Sequence, residues 1–132
     1  MARDLASVYM GVSAFTVLLS AVVIVVAPQL WLPHMQMLVN AGVTLSEVEK
    51  LSPLLAMFML SSGAGKLTAL YAGAEAIQRF CRLNLVATSM LVFTCWRYDD
   101  VQGLVTWSGF ALAYAYFGFW DRARDAYVVK AE

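Results

Sequence analysis

Residues 61–73 read SSGAGKLTALYAG, and the fold turns on what that stretch is. It contains GAGKLT, close to the end of a phosphate-binding loop. Such a loop has the form G-x-x-x-x-G-K-[ST] and sits between a strand and a helix. With Gly65 and Lys66 as its end, the first glycine position is occupied by Leu60 and the last position by Leu67. The surrounding run is apolar and no strand precedes it, so the nucleotide reading fails on sequence and on context. A second pattern does hold. Ser61, Gly65, Ala69 and Gly73 are four small residues at strict four-residue spacing. On a helix they form a small-xxx-small seam, which lets two backbones approach closely in lipid, where no hydrophobic force draws helices together.

The composition of the whole chain agrees with that setting. Of 132 residues, 61% are apolar and 14% charged, against roughly 45–50% and about 25% in soluble domains. A single domain of this size leaves a large share of its surface outside its core, so so much apolar material implies a lipid solvent. Nine basic residues balance nine acidic ones. No positive field exists to attract a polyanion, and nucleic acid is not an expected partner.

Working outward from the seam, four apolar stretches emerge, at about 5–27, 53–74, 77–96 and 103–120. Each is about 18 to 23 residues, enough to cross a hydrocarbon core of about 30 Å. Segments this long satisfy their backbone groups in lipid as helices. The expected fold is therefore all-α, a single integral-membrane four-helix bundle spanning residues 1–132. The first stretch is too long for the apolar part of a secretory signal and carries Arg3 and Asp4 ahead of it, so a retained first helix is expected. That helix has its own small-residue series, Ala6, Ser13, Ser20 and Ala27, at seven-residue spacing, suited to a left-handed crossing.

Basic residues set the orientation. With the N-terminus inside, Arg3, Arg79, Arg82, Arg122, Arg124 and Lys130 lie on the inner side, and Lys50 and Arg97 on the outer. Both termini are thus expected on the cytoplasmic, or equivalent inner, side. Between the first two spans, TLSEVEKLSP offers capping-box spacing at Thr44/Glu47 and at Ser46/Glu49. A short interfacial helix is expected over about 45–51, with Pro53 opening the next span. Past Trp120 the last helix is expected to continue, with Trp120, Ala123, Tyr127 and Ala131 on one face and Asp121 spaced to pair with Arg124.

Lys66 is the residue that packing does not explain. A lysine at the bilayer centre costs roughly 2.5–3.5 kcal/mol on insertion scales. Three readings stand side by side: its stem snorkels toward the inner interface; it pairs with Asn84 or Thr88 of the third helix; or it meets an anionic ligand or lipid, or serves a proton-coupled site. Arg82 and Asn84, near the inner end of the third helix, are candidates for lipid headgroups or for caps on neighbouring helices. Glu75 and Arg79 have i,i+4 spacing for an ion pair.

Metal chemistry finds little footing. His34, Met35 and Met37 cluster in HMQM, a soft set of the kind Cu(I) prefers, but no further ligand is evident and irregular packing is the expected role. RYDD, residues 97–100, reads as a solvated acidic turn. Cys81 and Cys95 lie on one helix about 21 Å apart, too far for a disulfide, and read as small packing residues. No metal site and no cofactor are expected.

No nucleophile, base and acid can be assembled from these residues, so a non-enzymatic role is expected. The leading expectation is an accessory or assembly subunit of a larger membrane complex. Its partners are membrane lipids and other membrane subunits or further copies of itself. The alternative is a small transporter, channel, or lipid- or anion-binding protein centred on Lys66.

Overall fold

The computed structural model describes the backbone of residues 2–128 and the side chains of residues 4–120. Within them the protein is all-helical and no strand is present. Four long helices make up the body: α1 (Ala2–Val26), α4 (Leu45–Ala72), α5 (Ala74–Arg97) and α6 (Val101–Val128). Two short helices, α2 (Pro28–Trp31) and α3 (Gln36–Asn40), flank a 3-10 turn over Leu32–His34 and join α1 to α4. The chain rises through α1, returns through α4, rises through α5 and returns through α6. The α1–α4 and α5–α6 pairs make the most extensive contacts.

Each boundary has a local cause. Pro28 occupies the first position of α2, where its missing N–H leaves no donor unpaired. Gly73 separates α4 from α5 in a single residue. Its φ of +101° lies in the region that only glycine enters without strain. It closes α4 through its N–H to Ala69 O, and its own carbonyl accepts from the Ile77 N–H that opens α5. At the opposite end Asp99 turns the chain with φ +54°. Asp100 then caps α6, its Oδ1 accepting from Gly103 N–H at 2.7 Å.

The segment before the second long helix differs from the expectation. The separate helix over about 45–51 is not a separate element; α4 begins at Leu45 and runs on through Pro53. Of the two possible capping boxes the chain uses Thr44 and Glu47. Thr44 N–H donates to Glu47 Oε2 at 2.7 Å and Glu47 N–H to Thr44 Oγ1 at 3.4 Å. Continuity through Pro53 has a specific support. Proline has no N–H to give the carbonyl four residues earlier, which is that of Glu49, and the Ser52 hydroxyl donates to that carbonyl at 3.0 Å.

Two helices are long and apolar enough to cross a membrane, over Asp4–Val26 and Leu45–Ala72. The other two expected spans, α5 and α6, are of matching length but more polar. Helix α5 carries Gln78, Arg79, Arg82 and Asn84, and α6 carries Gln102, Thr106 and Ser108. The α6 backbone continues past Trp120 to Val128, as expected. The anticipated Asp121–Arg124 pair and the face extending to Ala131 fall outside the described side chains.

Two apolar clusters fill the interior. Toward the Gly73 end, Ala6, Met10, Ala69, Ile77, Cys81, Tyr114 and Phe117 are buried together. Tyr9 stands edge-on to Tyr114, with ring centroids 5.5 Å apart, and against Phe117 at 5.2 Å. Toward the other end, Ala21, Ile24, Trp31, Val48 and Ala56 form the second cluster. There α2 and the following turn fold back over the α1–α4 pair.

Candidate functional site

Lys66 lies inside the protein. Its side chain is 4% exposed, and its ammonium donates to the Ser13 hydroxyl of α1 at 2.6 Å. Ser13 is itself 6% exposed. The stem therefore does not carry the charge out to an interface. One turn earlier Gly63 brings the two helices together: a Cβ there would stand 2.7 Å from the Leu18 side chain and 3.6 Å from Ala14 O. Close approach at Gly63 shortens the path from the α4 backbone to Ser13. A charged hydrogen bond is stronger than its neutral equivalent, and here, buried on both sides, it ties α4 to α1.

The other two residues expected to meet a ligand are engaged elsewhere. Asn84 donates from Nδ2 to Phe80 O of its own helix at 3.0 Å. Arg82 donates from Nε to Gly118 O of α6 at 2.7 Å, and its guanidinium carbon stands 5.1 Å from the Phe119 ring centroid. Gly118 admits that contact, since a Cβ would lie 3.1 Å from Arg82 Cγ. Lys66, Arg82 and Asn84 thus have three different partners. Thr88, the other residue considered for Lys66, is buried in α5.

The small-residue series divides among several surroundings. Ser61 is exposed. Gly65 faces α5, where an added Cβ would meet the Phe80 ring at 3.0 Å. Ala69 is buried in the cluster with Ile77 and Cys81, and Gly73 forms the turn. The close contact with α1 falls at Gly63, outside the four-residue series. On α1 the buried positions are Ala6, Met10, Ser13, Ala14, Ala21 and Ile24. Glu75 and Arg79 do form their i,i+4 ion pair on the exposed face of α5.

A second polar centre, absent from the sequence reading, lies at the opposite end. Asp100 is 4% exposed rather than solvated. Its Oδ2 accepts from the Met37 N–H at 3.0 Å, which docks α3 onto the turn between α5 and α6. Asn40 of α3 adds a bond from Nδ2 to Tyr98 O at 2.7 Å. The same Oδ2 lies 3.9 Å from Cys95 Sγ, and that sulfur lies 3.6 Å from Met37 Sδ. Both cysteines are free thiols. No local signal brings Met37 to this centre, because it stands 58 residues from Cys95 and 63 from Asp100. The nearest hint was the soft HMQM segment; within it Met37 turns to Cys95, whereas Met35 packs with the Trp31 cluster and His34 is exposed.

Among the described residues, no group of three His, Cys, Asp or Glu side chains is placed to hold a metal ion. A groove of about 500 Å³ runs along α5, lined by Leu85, Val86, Ser89, Met90, Phe93 and Thr94. Its lining is apolar apart from two hydroxyls, both of which donate within α5, Ser89 to Leu85 O and Thr94 to Met90 O. It offers no acid, base or activated nucleophile. No protein-family model, curated protein or solved structure matches this chain.

Proposed function

We propose that this chain is a non-catalytic, four-span integral membrane protein that serves as an accessory or assembly subunit, packing against other transmembrane helices in a larger complex. The observation that carries the reading is an exterior rich in large apolar side chains over an interior that also holds polar ones. Lys66, Ser13, Gln78 and Thr88 are buried, while Val26 is 76% exposed, Leu83 73% and Leu112 73%. Large apolar side chains face outward on all four long helices, Phe15 on α1, Phe58 on α4, Phe93 on α5 and Tyr116 on α6 among them. Water penalises such a surface, and an exterior this rich in large apolar side chains belongs against lipid or against other proteins. On this reading α5 and α6 cross the bilayer beside α1 and α4 despite their polar residues. Gln78 and Arg82 turn to the interior or to α6, leaving Leu83, Val86 and Met90 outside. The distribution of basic residues orients both termini inward.

Two measurements test it. Alkaline carbonate extraction of membranes carrying the full chain should leave it in the pellet; release into the supernatant overturns the membrane assignment. Gentle detergent extraction followed by native mass measurement should give a particle well above one chain, with other membrane subunits co-migrating. A monomer or small homo-oligomer carrying bound lipid would instead favour ligand or lipid binding at Lys66. One observation speaks for that second reading: the hydroxyl facing the ammonium is neutral and does not cancel its charge.

A further inference from the structure

We propose that Met37, Cys95 and Asp100 form a binding site for a soft monovalent metal ion of the Cu(I) class. Cys95 Sγ and Met37 Sδ are the ligands, and Asp100 holds the segments that carry them in register. The two sulfurs are 3.6 Å apart. Two sulfur ligands about 2.3 Å from one ion at a tetrahedral or trigonal angle stand about 3.8–4.0 Å from each other. An ion between them therefore requires movement of only a few tenths of an ångström. Thiolate and thioether donors together select Cu(I) over hard divalent ions.

The site is built before any ion arrives. Cys95, Met37 and Asp100 are 0%, 5% and 4% exposed. Three separate segments supply them: α5, α3 and the turn leading into α6. Asp100 holds the segments in register, accepting from Met37 N–H on one oxygen and from Gly103 N–H on the other. Gly103 leaves the space that the cluster occupies. A Cβ at that position would lie 2.8 Å from Cys95 Sγ and would collide with Asp100 Oδ2. The packing role of a buried cysteine and the capping role of an aspartate account for each residue singly. They do not account for a thiol and a carboxylate meeting over the side-chain-free Gly103 with a thioether against the same thiol.

Binding is a proton exchange. The Cys95 S–H bond breaks, the sulfur keeps the electron pair and forms the bond to the metal, and the proton is released to the buffer base. The metal keeps its oxidation state throughout. The site joins α3 to the α5–α6 turn, so occupancy should lock the connection between the two helix pairs. This inference does not depend on the subunit role, because it concerns a centre within one chain.

The test is titration of the purified, reduced full chain in detergent with Cu(I) held by a competing chelator, and in parallel with Ag(I) as a redox-inert probe. The expected result is one equivalent bound, with a rise in Tm of several degrees. Cys95→Ser should abolish it and Met37→Leu should weaken it at least tenfold, while Cys81→Ser, which removes the other buried thiol, leaves it unchanged. Retention of full affinity by Cys95→Ser, or its loss in Cys81→Ser, overturns the site. X-ray absorption of the metal-loaded wild-type chain provides a check that needs no variant. Two sulfur scatterers on the copper support the proposal, and a shell of nitrogen and oxygen alone sinks it.

Discussion

The Lys66 ammonium and the Ser13 hydroxyl, 53 residues apart in sequence, meet at 2.6 Å between α4 and α1. Removing the two partners should have opposite consequences. Ser13→Ala leaves a buried ammonium without its acceptor and should destabilise the fold by about 1–3 kcal/mol. Lys66→Met keeps most of the stem and removes the charge, so it should be neutral or stabilising, as apolar replacement of a buried ion often is. Reversible unfolding in detergent of both variants and the double variant measures the coupling. If Ser13→Ala is silent in the Lys66 background, the hydrogen bond does not tie the helices.

Gly63, not the Ser61–Gly65 series, sets the closeness of α4 to α1. Gly63→Val should cost about 1–3 kcal/mol through overpacking against Leu18. The clash is with a side chain, so Leu18→Ala should recover part of that loss. Val at the exposed Ser61 should change stability by less than about 0.5 kcal/mol. Equal losses at positions 61 and 63 would show that helix propensity rather than contact governs both.

The Ser52 hydroxyl serves the carbonyl of Glu49 that Pro53 leaves without a donor. Ser52→Ala should therefore cost about 1 kcal/mol in the native chain. It should cost almost nothing when Pro53→Ala has already restored the backbone N–H. A double-mutant cycle reads the difference directly. Additive effects would mean that the carbonyl is satisfied by water instead.

At the start of α4, the Glu47 carboxylate accepts from both the backbone N–H and the hydroxyl of Thr44, at 2.7 and 2.8 Å. Glu47→Ala should weaken the first turn by about 1 kcal/mol, seen as roughly fivefold faster amide exchange there with exchange near Ala56 unchanged. Ser46→Ala should have no such effect, since the chain uses Thr44 and not Ser46 as the cap.

How much of this was legible beforehand varies with the range of the interaction. The Thr44–Glu47 spacing and the Glu75–Arg79 pair are local, each formed between residues no more than four apart, whereas Gly73, expected as a seam residue within the second span, is the turn that ends it. Helical backbone over all four apolar stretches follows from the same short-range information. Continuity through Pro53 was hidden, because a proline ordinarily opens or interrupts a helix and its rescue depends on the Ser52 rotamer.

The chain by itself determines that these segments are helices, that their composition is more apolar than that of a typical soluble domain, and that small residues are available for close packing. Periodicity suffices for that, since it depends on neighbours one turn away. Tertiary structure decided which small residue is the contact, where the Lys66 charge goes, and that Met37, Cys95 and Asp100 meet. Those outcomes depend on which helix faces which and at what rotation. A turn of 100° per residue moves the contact from Gly65 to Gly63 with no change in the pattern of small residues. The energy that selects among such rotations comes from side chains on other helices, such as Leu18 against Gly63, and no local spacing encodes it.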